Sequence, residues 1–206
     1  MKTNLFNSKF LLAGTMMVSL VLGLASCEKD EPEVTKEEVK TENVESKTLD
    51  PVYFSFEQGK VVTISDASKS KDWDIAFMRY YVRTNSGASG SGQGGAIETN
   101  ITKIDEVTKL ASTNFIVDTE ITVNVPNSGM PPKTTKIPGN TTFSVKRGEN
   151  TSIGWANGMG GNWVFNNNVF IVRTANGKYA KVIMKSFVDG DGKITFDYIY
   201  PFVPKP

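Results

Sequence analysis

The sequence predicts an all-β fold with little or no helix. Short runs of apolar residues, bounded by Gly, Asn, Asp and Pro, recur from Pro51 to the end of the chain. One of the boundaries is Asn176-Gly177, and an Asn-Gly pair between two apolar runs is the strongest short-range signal for a β-hairpin. Only Ile101 to Leu110 has apolar residues near helical spacing. With 206 residues, of which 39% are hydrophobic, the chain can form one domain with a substantial core.

The composition excludes several classes of function. The chain contains no histidine, so Ser-His-Asp and Cys-His catalysis, histidine zinc sites and histidine-ligated haem are all excluded. A bound metal would need sulfur or oxygen ligands. The sequence also has no nucleophile elbow and no paired-carboxylate pattern, and the usual general base is absent. We therefore expect that this protein is not an enzyme.

The N-terminus has the pattern of a lipoprotein signal peptide over residues 1–26. Lys2 and Lys9 precede an apolar run that ends in small residues and then Cys27, the only cysteine. Cleavage before Cys27 would leave it N-terminal, where bacterial lipoproteins are acylated, and the apolar run is short for a permanent membrane helix. The alternative is an ordinary secretory signal followed by a coincidental cysteine. We expect lipidation at Cys27 and a stable membrane anchor.

Residues 27–50 are predicted to be a flexible acidic linker after the lipidated cysteine. From Glu28 to Asp50 there are nine acidic residues and four lysines, with no aromatic residue. The Lys29-Asp30-Glu31 cluster resembles the charged export signal of surface lipoproteins, although these residues can also be ordinary linker charges. The folded domain is then 51–206, with seventeen basic and thirteen acidic residues. Its charge of +4 suits an anionic ligand, but it lacks the basic runs with interleaved aromatic residues that nucleic-acid binding needs.

The first part of the domain is predicted to form a hairpin and a central strand. Val52 to Phe56 and Lys60 to Ile64 are separated by a Gly-containing turn and should pair. Trp73 to Arg83 is apolar on both faces, which predicts one long central strand. Met78 lies within it and is assigned to the core. The Gly/Ser segment Ser86 to Gly95 lacks the ending of a phosphate loop; we expect a mobile rim or a close backbone approach to a ligand.

The second half of the domain is predicted to be a series of hairpins. Phe115 to Val125 alternates as a strand, and the Asn176-Gly177 turn joins Val169 to Val172 with Tyr179 to Met184, whose methionine should be core. The run Asp189 to Gly192 superficially resembles a calcium loop. It lacks the distant bidentate glutamate and lies between two strands, so a hairpin turn is favoured.

Two methionines stand in unusual positions. Met130 follows Asn127-Ser128-Gly129, and Met159 follows Asn157-Gly158; prolines come after the first and glycines after the second. Neither methionine lies in a run that would bury it as strand core. Each could still pack under its own loop. As a pair, however, their thioether sulfurs are soft ligands suited to copper(I) or to an axial position on haem iron, and two such loops could hold a flat ligand between them.

Several segments, in order along the whole domain from Val52 to Pro201, resemble the HmuY family of haem-binding lipoproteins. No single motif is decisive, but the ordered set together with the lipoprotein signal is specific. The segments are Tyr53-Phe54-Ser55-Phe56 with Gly59, Trp73-Asp74-Ile75-Ala76 with Arg79-Tyr80, Gly90 with Gly92 to Ala96, Phe170 to Arg173 with Gly177 to Val182, and Ile194 to Pro201.

This resemblance implies a single HmuY-like domain that captures haem, in some members from host haemoproteins. The haem would then pass to a TonB-dependent outer-membrane receptor for iron and haem acquisition. The best-known members hold the iron with two histidines on two loops. By position in the pattern, Met130 and Met159 fall where those histidines would be, so this sequence resembles the members thought to use methionine. The protein would be anchored to the outer membrane and exposed at the cell surface, with a released form as a further possibility.

Aromatic side chains would supply the rest of the haem affinity by packing on the porphyrin. Tyr80, Trp155 and Trp163 are the candidates, and each could equally be a core residue. A different class of function remains open, because a glycan-binding or structural surface lipoprotein would share the same leader and linker. Glycan recognition has no use for Met130 and Met159, so their removal distinguishes these alternatives.

Overall fold

The described residues of the computed structural model are 37–143, 154–159 and 162–206. They form thirteen strands and two single-turn 3-10 helices, Ile104–Glu106 and Thr141–Phe143, and so confirm the all-β prediction. Within these residues no helix is long and apolar enough to cross a membrane. The predicted signal peptide, Cys27 and the first part of the linker lie outside the described residues. The strands are β1 Lys40–Glu45, β2 Val52–Ser55, β3 Lys60–Val62, β4 Ile75–Met78, β5 Tyr81–Thr84, β6 Gly95–Glu98, β7 Thr119–Asn124, β8 Thr134–Gly139, β9 Ala156–Met159, β10 Asn162–Phe165, β11 Val169–Arg173, β12 Tyr179–Val188 and β13 Lys193–Phe202.

Two larger antiparallel sheets form the body of the domain. The first has the strand order β1-β13-β12-β11-β6, and the second has the order β3-β2-β4-β5. Their inner faces share one hydrophobic core, in which the Phe196 ring of β13 lies 5.3 Å from the rings of Phe54 in β2 and Phe77 in β4. Two further pairs, β7-β8 and β9-β10, are separate hairpins. Besides its two larger sheets, the domain therefore has two separate hairpins, and these carry the two methionines of interest.

The five-stranded sheet is covered on both faces at β11, which explains why Val169 to Val172 of this strand are all apolar. Val169 and Ile171 of β11 face a second hydrophobic cluster that includes Ile104 and Val107, while Phe170 and Val172 face the main core. A strand buried on both sides has no polar face to present. The weak helical signal over Ile101 to Leu110 thus corresponds to a single 3-10 turn that caps this outer face.

The folded part begins earlier in the chain than the sequence suggests. Residues 40–45, assigned to the flexible linker, form the edge strand β1, which pairs with β13 from Lys40↔Tyr198 to Glu45↔Lys193. Only Val44 of this strand is buried. The other residues are polar or charged, so the sequence lacks the apolar alternation that would indicate a strand. In addition, the fully buried Lys181 donates to Glu37, at 2.5 Å, and to the Val107 carbonyl. The boundary predicted at residue 51 is therefore too late.

The long strand predicted over Trp73 to Arg83 is in fact two strands. β4 and β5 pair with each other, with Met78 opposite Tyr81, and the chain reverses at Arg79 and Tyr80. Arg79 adopts the left-handed conformation, with φ of 56°. Glycine and asparagine favour this conformation, but neither stands at this position, so the sequence does not indicate a turn here. The prediction of a central strand holds for β4, which lies between β2 and β5, and Met78 is core as expected.

The glycines of the Ser86 to Gly95 segment make a close approach to the protein's own chain. Its glycine N–H groups bond to Asn85: Gly94 N donates to the Asn85 carbonyl at 2.9 Å and Gly92 N to Asn85 Oδ1 at 3.0 Å. A Cβ on Gly92 or Gly94 would lie about 2.5 Å from that carbonyl oxygen. No ligand is needed to explain these glycines, so the expected mobile rim or ligand approach is replaced by a structural role.

The predicted hairpins are confirmed. β2 pairs with β3, β11 with β12 around Asn176-Gly177, and β12 with β13 around the turn Asp189 to Gly192. Met184 is buried in the core, as predicted. The predicted strand Phe115 to Val125 is shorter, because β7 begins at Thr119 and Ile116 makes only an isolated bridge to Ala96.

Candidate functional site

A cleft of about 230 Å³ opens beside the β7-β8 hairpin. One wall is the loop at the tip of this hairpin, from Asn124 to Met130 together with Pro132. The opposite wall is the reversal between β4 and β5, Arg79 and Tyr80, with Asp189 from the turn between β12 and β13. The cleft therefore lies where the tip of the β7-β8 hairpin meets two turns.

The Met130 loop is held by hydrogen bonds within itself. The Val125 N–H donates to the Lys133 carbonyl at 2.8 Å, and Ser128 Oγ both donates to the Val125 carbonyl and accepts from the Lys133 N–H. Gly129 takes a left-handed φ of 90°. Met130 follows it with 93% of its surface exposed. Such exposure of a large apolar side chain is unfavourable without a partner to cover it, and it leaves the thioether sulfur free.

The base of the β7-β8 hairpin is fastened to the sandwich by a buried aspartate. Asp118, which precedes β7, accepts hydrogen bonds from Thr84 of β5, from Ser89 and from Asn140, which follows β8. Burial raises the pKa of Asp118, and these hydrogen bonds oppose the rise. Asn140 N also donates to the Val82 carbonyl at 2.9 Å. The hairpin root is thus fixed, while its tip with Met130 is exposed.

Aromatic rings form a cluster behind the cleft. Tyr80 lines the cleft, and its ring centroid lies 5.0 Å from that of Trp163 and 5.4 Å from that of Phe187. Trp163 in turn lies 5.1 Å from Phe187, with the rings nearly perpendicular. The Trp163 Nε1 group is buried and has no hydrogen-bond partner among the described residues. A buried N–H without an acceptor is costly.

The second methionine lies on the β9-β10 hairpin. Gly158 of β9 stands opposite Trp163 of β10, and Met159 stands opposite Asn162. A Cβ on Gly158 would lie 2.4 Å from the Trp163 ring, so only glycine lets that ring lie across β9. Met159 is the last residue of β9, which corrects the expectation that it lies on a loop. Its side chain, and residues 160 and 161, are outside the described part of the structure.

Trp155 belongs to the core. It is fully buried, stacks on Phe165 at 5.6 Å and donates through Nε1 to the Tyr80 carbonyl at 2.9 Å. It supports Tyr80 from behind and presents no surface to the cleft. Of the residues predicted from the sequence, Met130 and Tyr80 therefore line the cleft together, Trp163 contacts Tyr80, and Trp155 fixes the Tyr80 backbone.

Sequence reasoning missed the charged wall of the cleft. Arg79 and Asp189 form an ion pair there, and the Arg79 guanidinium lies 5.7 Å from the Tyr80 and Phe187 ring centroids. The sequence places Asp189 in a hairpin turn and Arg79 at the end of an apolar run, and it does not indicate that the two side chains meet. They are 110 residues apart in the chain, and no local pattern joins them. In the described residues, no group of three or more His, Cys, Asp or Glu side chains could hold a metal ion.

The structure is thus an antiparallel sandwich with a cleft beside the β7-β8 hairpin. The family model described as HmuY protein matches residues 47–198, and the chain belongs to the HmuY family. The family resemblance inferred from the ordered motifs is thereby confirmed. Curated proteins provide no significant match.

Solved structures agree with this fold. A structure described as HmuY-like and heme-binding, from Bacteroides vulgatus ATCC 8482, has a TM-score of 0.57 at 23% identity and covers 80% of this chain and 93% of its own. Apo PinO from Porphyromonas gingivitis has a TM-score of 0.57 at 26% identity over 80% of this chain and 98% of its own. The apo HmuY analog of Tannerella forsythia has 0.57 at 24% identity over 84% of this chain and 100% of its own.

Proposed function

We propose that this protein is a haem-binding surface lipoprotein, a haemophore that captures haem with Met130 and Met159 as axial ligands. The observation that carries the proposal is the position of Met130. Its side chain is almost fully exposed at the rim of a cleft whose other wall contains Tyr80. Family membership supports the proposal, and so does the description of the Bacteroides vulgatus relative as heme-binding.

The donor atoms suit this cargo. The chain has no histidine, so the sulfur of Met130 is the soft ligand at the cleft. Thioether sulfur binds iron without losing a proton and favours iron(II) over iron(III), which raises the haem potential relative to histidine ligation. Met159 ends β9 beside Gly158, whose partner Trp163 contacts the cleft residue Tyr80. The proposed ligands therefore come from the two separate hairpins, β7-β8 and β9-β10.

The cleft is small for a porphyrin. Its volume of about 230 Å³ lies below the roughly 300–1,000 Å³ of typical small-molecule pockets. We expect the tip of the β7-β8 hairpin to move outward when haem binds, since only its root is fixed by Asp118 and Asn140. The porphyrin would then pack against Tyr80 and Trp163, whose Nε1 could donate to a ligand oxygen.

The further steps of the proposal concern location and delivery. Lipidation at Cys27 would anchor the protein to the outer membrane, with the segment up to β1 as a tether that places the domain at the cell surface. Haem, taken in part from host haemoproteins, would pass to a TonB-dependent outer-membrane receptor. The protein would act by binding and transfer rather than by catalysis.

A haem titration tests the proposal directly. We would record absorption spectra of the purified protein with haem before and after chemical reduction, beside a Met130→Ala/Met159→Ala variant. Met184→Leu, a change at a buried core methionine, is the matched control. We expect one-to-one binding that becomes six-coordinate and low-spin on reduction, kept in the control and lost in the double variant.

Other results would direct the function elsewhere. Haem binding that is unchanged in the double variant would place the iron ligands on other residues. An absence of haem binding in both oxidation states would contradict the proposal and favour a glycan-binding or structural lipoprotein. Sugar binding that survives the loss of both methionines would identify the glycan alternative.

A further inference from the structure

The cleft contains one cation with unused hydrogen-bond donors. Arg79 lies at the reversal between β4 and β5, and 14% of its side chain is exposed. Its Nη2 donates to Asp189, and its other guanidinium nitrogens have no hydrogen-bond partner among the described residues. Arg79 is the only cation among the described residues that line the cleft. A partly buried guanidinium with free donors is a strong site for a carboxylate.

Three contacts fix the position of this guanidinium. The backbone N–H of Arg79 donates to Ser46 Oγ at 2.7 Å, which holds the left-handed turn. The guanidinium carbon lies 5.7 Å from the ring centroids of Tyr80 and Phe187, within the range of a cation–π interaction. The side chain is therefore held in place before any ligand arrives, which lowers the entropy cost of binding.

Asp189 balances the charge of Arg79 in the free protein. It also lines the cleft, and 35% of its side chain is exposed. Since 35% of the Asp189 side chain is exposed but only 14% of the Arg79 side chain, this carboxylate can turn toward water more easily than the guanidinium can. An incoming carboxylate would then share the Arg79 guanidinium with Asp189, or replace Asp189 as its partner.

Resting on the haem-binding function proposed above, we propose that Arg79 binds a propionate carboxylate of the haem, with Asp189 as its exchangeable counter-ion. Ser46 is the positioning residue for this contact. The contact fixes the orientation of the ligand in the cleft and selects porphyrins that carry free carboxylates.

Esterified haem isolates this interaction without any mutation. Haem dimethyl ester has the same iron and ring but no carboxylate, so the purified protein should bind it about tenfold or more weakly than haem, as expected for a lost charge-assisted hydrogen bond. Arg79→Gln should lower the affinity for haem to that for the ester and leave the affinity for the ester unchanged. Asp189→Asn should strengthen haem binding, because it removes the competing carboxylate.

Arg173→Gln is the matched control. Arg173 also lies over an aromatic ring, 4.8 Å from the Phe115 centroid, and bonds to the Gln93 carbonyl, but it does not line the cleft. The haem affinity of the Arg173→Gln variant should equal that of the unmodified protein. Equal binding of haem and its dimethyl ester by the unmodified protein would overturn the role of Arg79 and leave haem binding intact. Binding of neither would overturn the proposed function, and this inference with it.

Discussion

Ser46 joins the reversal at Arg79 to the turn from Asp189 to Gly192, and both belong to the same wall of the cleft. Its Oγ accepts from the Arg79 N–H at 2.7 Å and donates to the Phe77 carbonyl at 3.0 Å. Its own N–H donates to the Gly192 carbonyl at 2.8 Å, in the turn that begins with Asp189. One serine, placed directly after β1, therefore holds together the two turns that provide the charged residues of the cleft.

Ser46→Ala should weaken both the fold and the cleft. The variant leaves the Arg79 N–H without its acceptor, so we expect the free energy of unfolding to fall by about 1–2 kcal/mol. Haem affinity should fall as well, because the guanidinium is less constrained. Urea denaturation and haem titration measure the two effects. Ser55→Ala is the control, since buried Ser55 accepts a hydrogen bond from Gln58 in its own turn and does not line the cleft. Unchanged haem affinity in Ser46→Ala would limit Ser46 to a purely structural role.

Gly158→Ala should displace Trp163. The new Cβ would lie 2.4 Å from the Trp163 ring, so the ring must move away from Tyr80 or the β9-β10 hairpin must distort. Overpacking of this kind costs about 1–3 kcal/mol. We expect a lower free energy of unfolding, a changed near-ultraviolet circular dichroism spectrum and weaker haem binding.

The control for this change is Gly190→Ala. Gly190 also lies in a hairpin connection, but a Cβ there would meet nothing within 4 Å. Its stability and spectrum should match those of the unmodified protein. If Gly158→Ala bound haem as tightly as the control, Trp163 and its contact with Tyr80 would have no part in the site.

Local patterns in the sequence were sufficient for part of the fold. The turn at Asn176-Gly177 and the apolar runs beside it determine β11 and β12, because turn chemistry and alternation act over a few residues. The exposed position of Met130 also followed from its neighbours Gly129 and Pro131. These features depend on residues close together in the chain, which is why they could be predicted.

Other features depend on contacts between distant residues. The reversal at Arg79 has no turn residue of its own and is held by Ser46, 33 residues away. Strand β1 is charged and exposed except at Val44, so only its pairing with β13 reveals it. The burial of Trp155 likewise follows from packing against Phe165 and Tyr80. Tertiary contacts of this kind override local propensity.

Val44→Asp tests the contribution of β1. Val44 is the buried residue of this strand and packs into the main core. An unpaired carboxylate there should release β1 from β13 and lower the free energy of unfolding by about 2–4 kcal/mol. Hydrogen exchange should increase along β13, and haem affinity should fall because Ser46 follows β1 directly. Val39→Asp, at an exposed position just before the strand, should have little effect. Equal stability of the two variants would contradict a structural role for β1.

The stability of the protein should depend on pH through Asp118. Burial raises the folded-state pKa of Asp118, although its hydrogen bonds oppose this. A carboxyl group whose pKa is raised in the folded state contributes fully to the free energy of unfolding at pH values below its ordinary pKa, about 4. That contribution is lost as the pH rises through the folded-state pKa. The stability difference between the unmodified protein and Asp118→Asn should therefore decrease from about pH 4 upward. Urea denaturation over a pH series measures it.

Asp66→Asn provides a comparison of opposite sign. Hydrogen bonds from Ser68 and Lys69 lower the pKa of the exposed Asp66. The contribution of Asp66 to the free energy of unfolding is thus present above its ordinary pKa and is lost as the pH falls. A stability difference that changed in the same direction for both variants would contradict the burial effect at Asp118.

Haem binding should be nearly independent of pH between neutrality and about pH 5. Histidine, with a pKa of about 6.5, must lose its proton to bind iron, whereas methionine does not titrate in this range. The chain has no histidine at all. Haem titrations at a series of pH values give the affinity, and a steep loss on mild acidification would count against methionine ligation.

Met130→His/Met159→His is the matched variant for this test. It would place imidazoles at the two proposed ligand positions, so haem binding should become sensitive to acid, with a loss centred near the histidine pKa. Imidazole is also a harder ligand than thioether sulfur, so the variant should favour iron(III) more than the unmodified protein does and have a lower haem potential. Because only the two ligands differ, a change in both pH dependence and potential would assign the iron to these hairpins. An unchanged pH profile and potential would place it elsewhere.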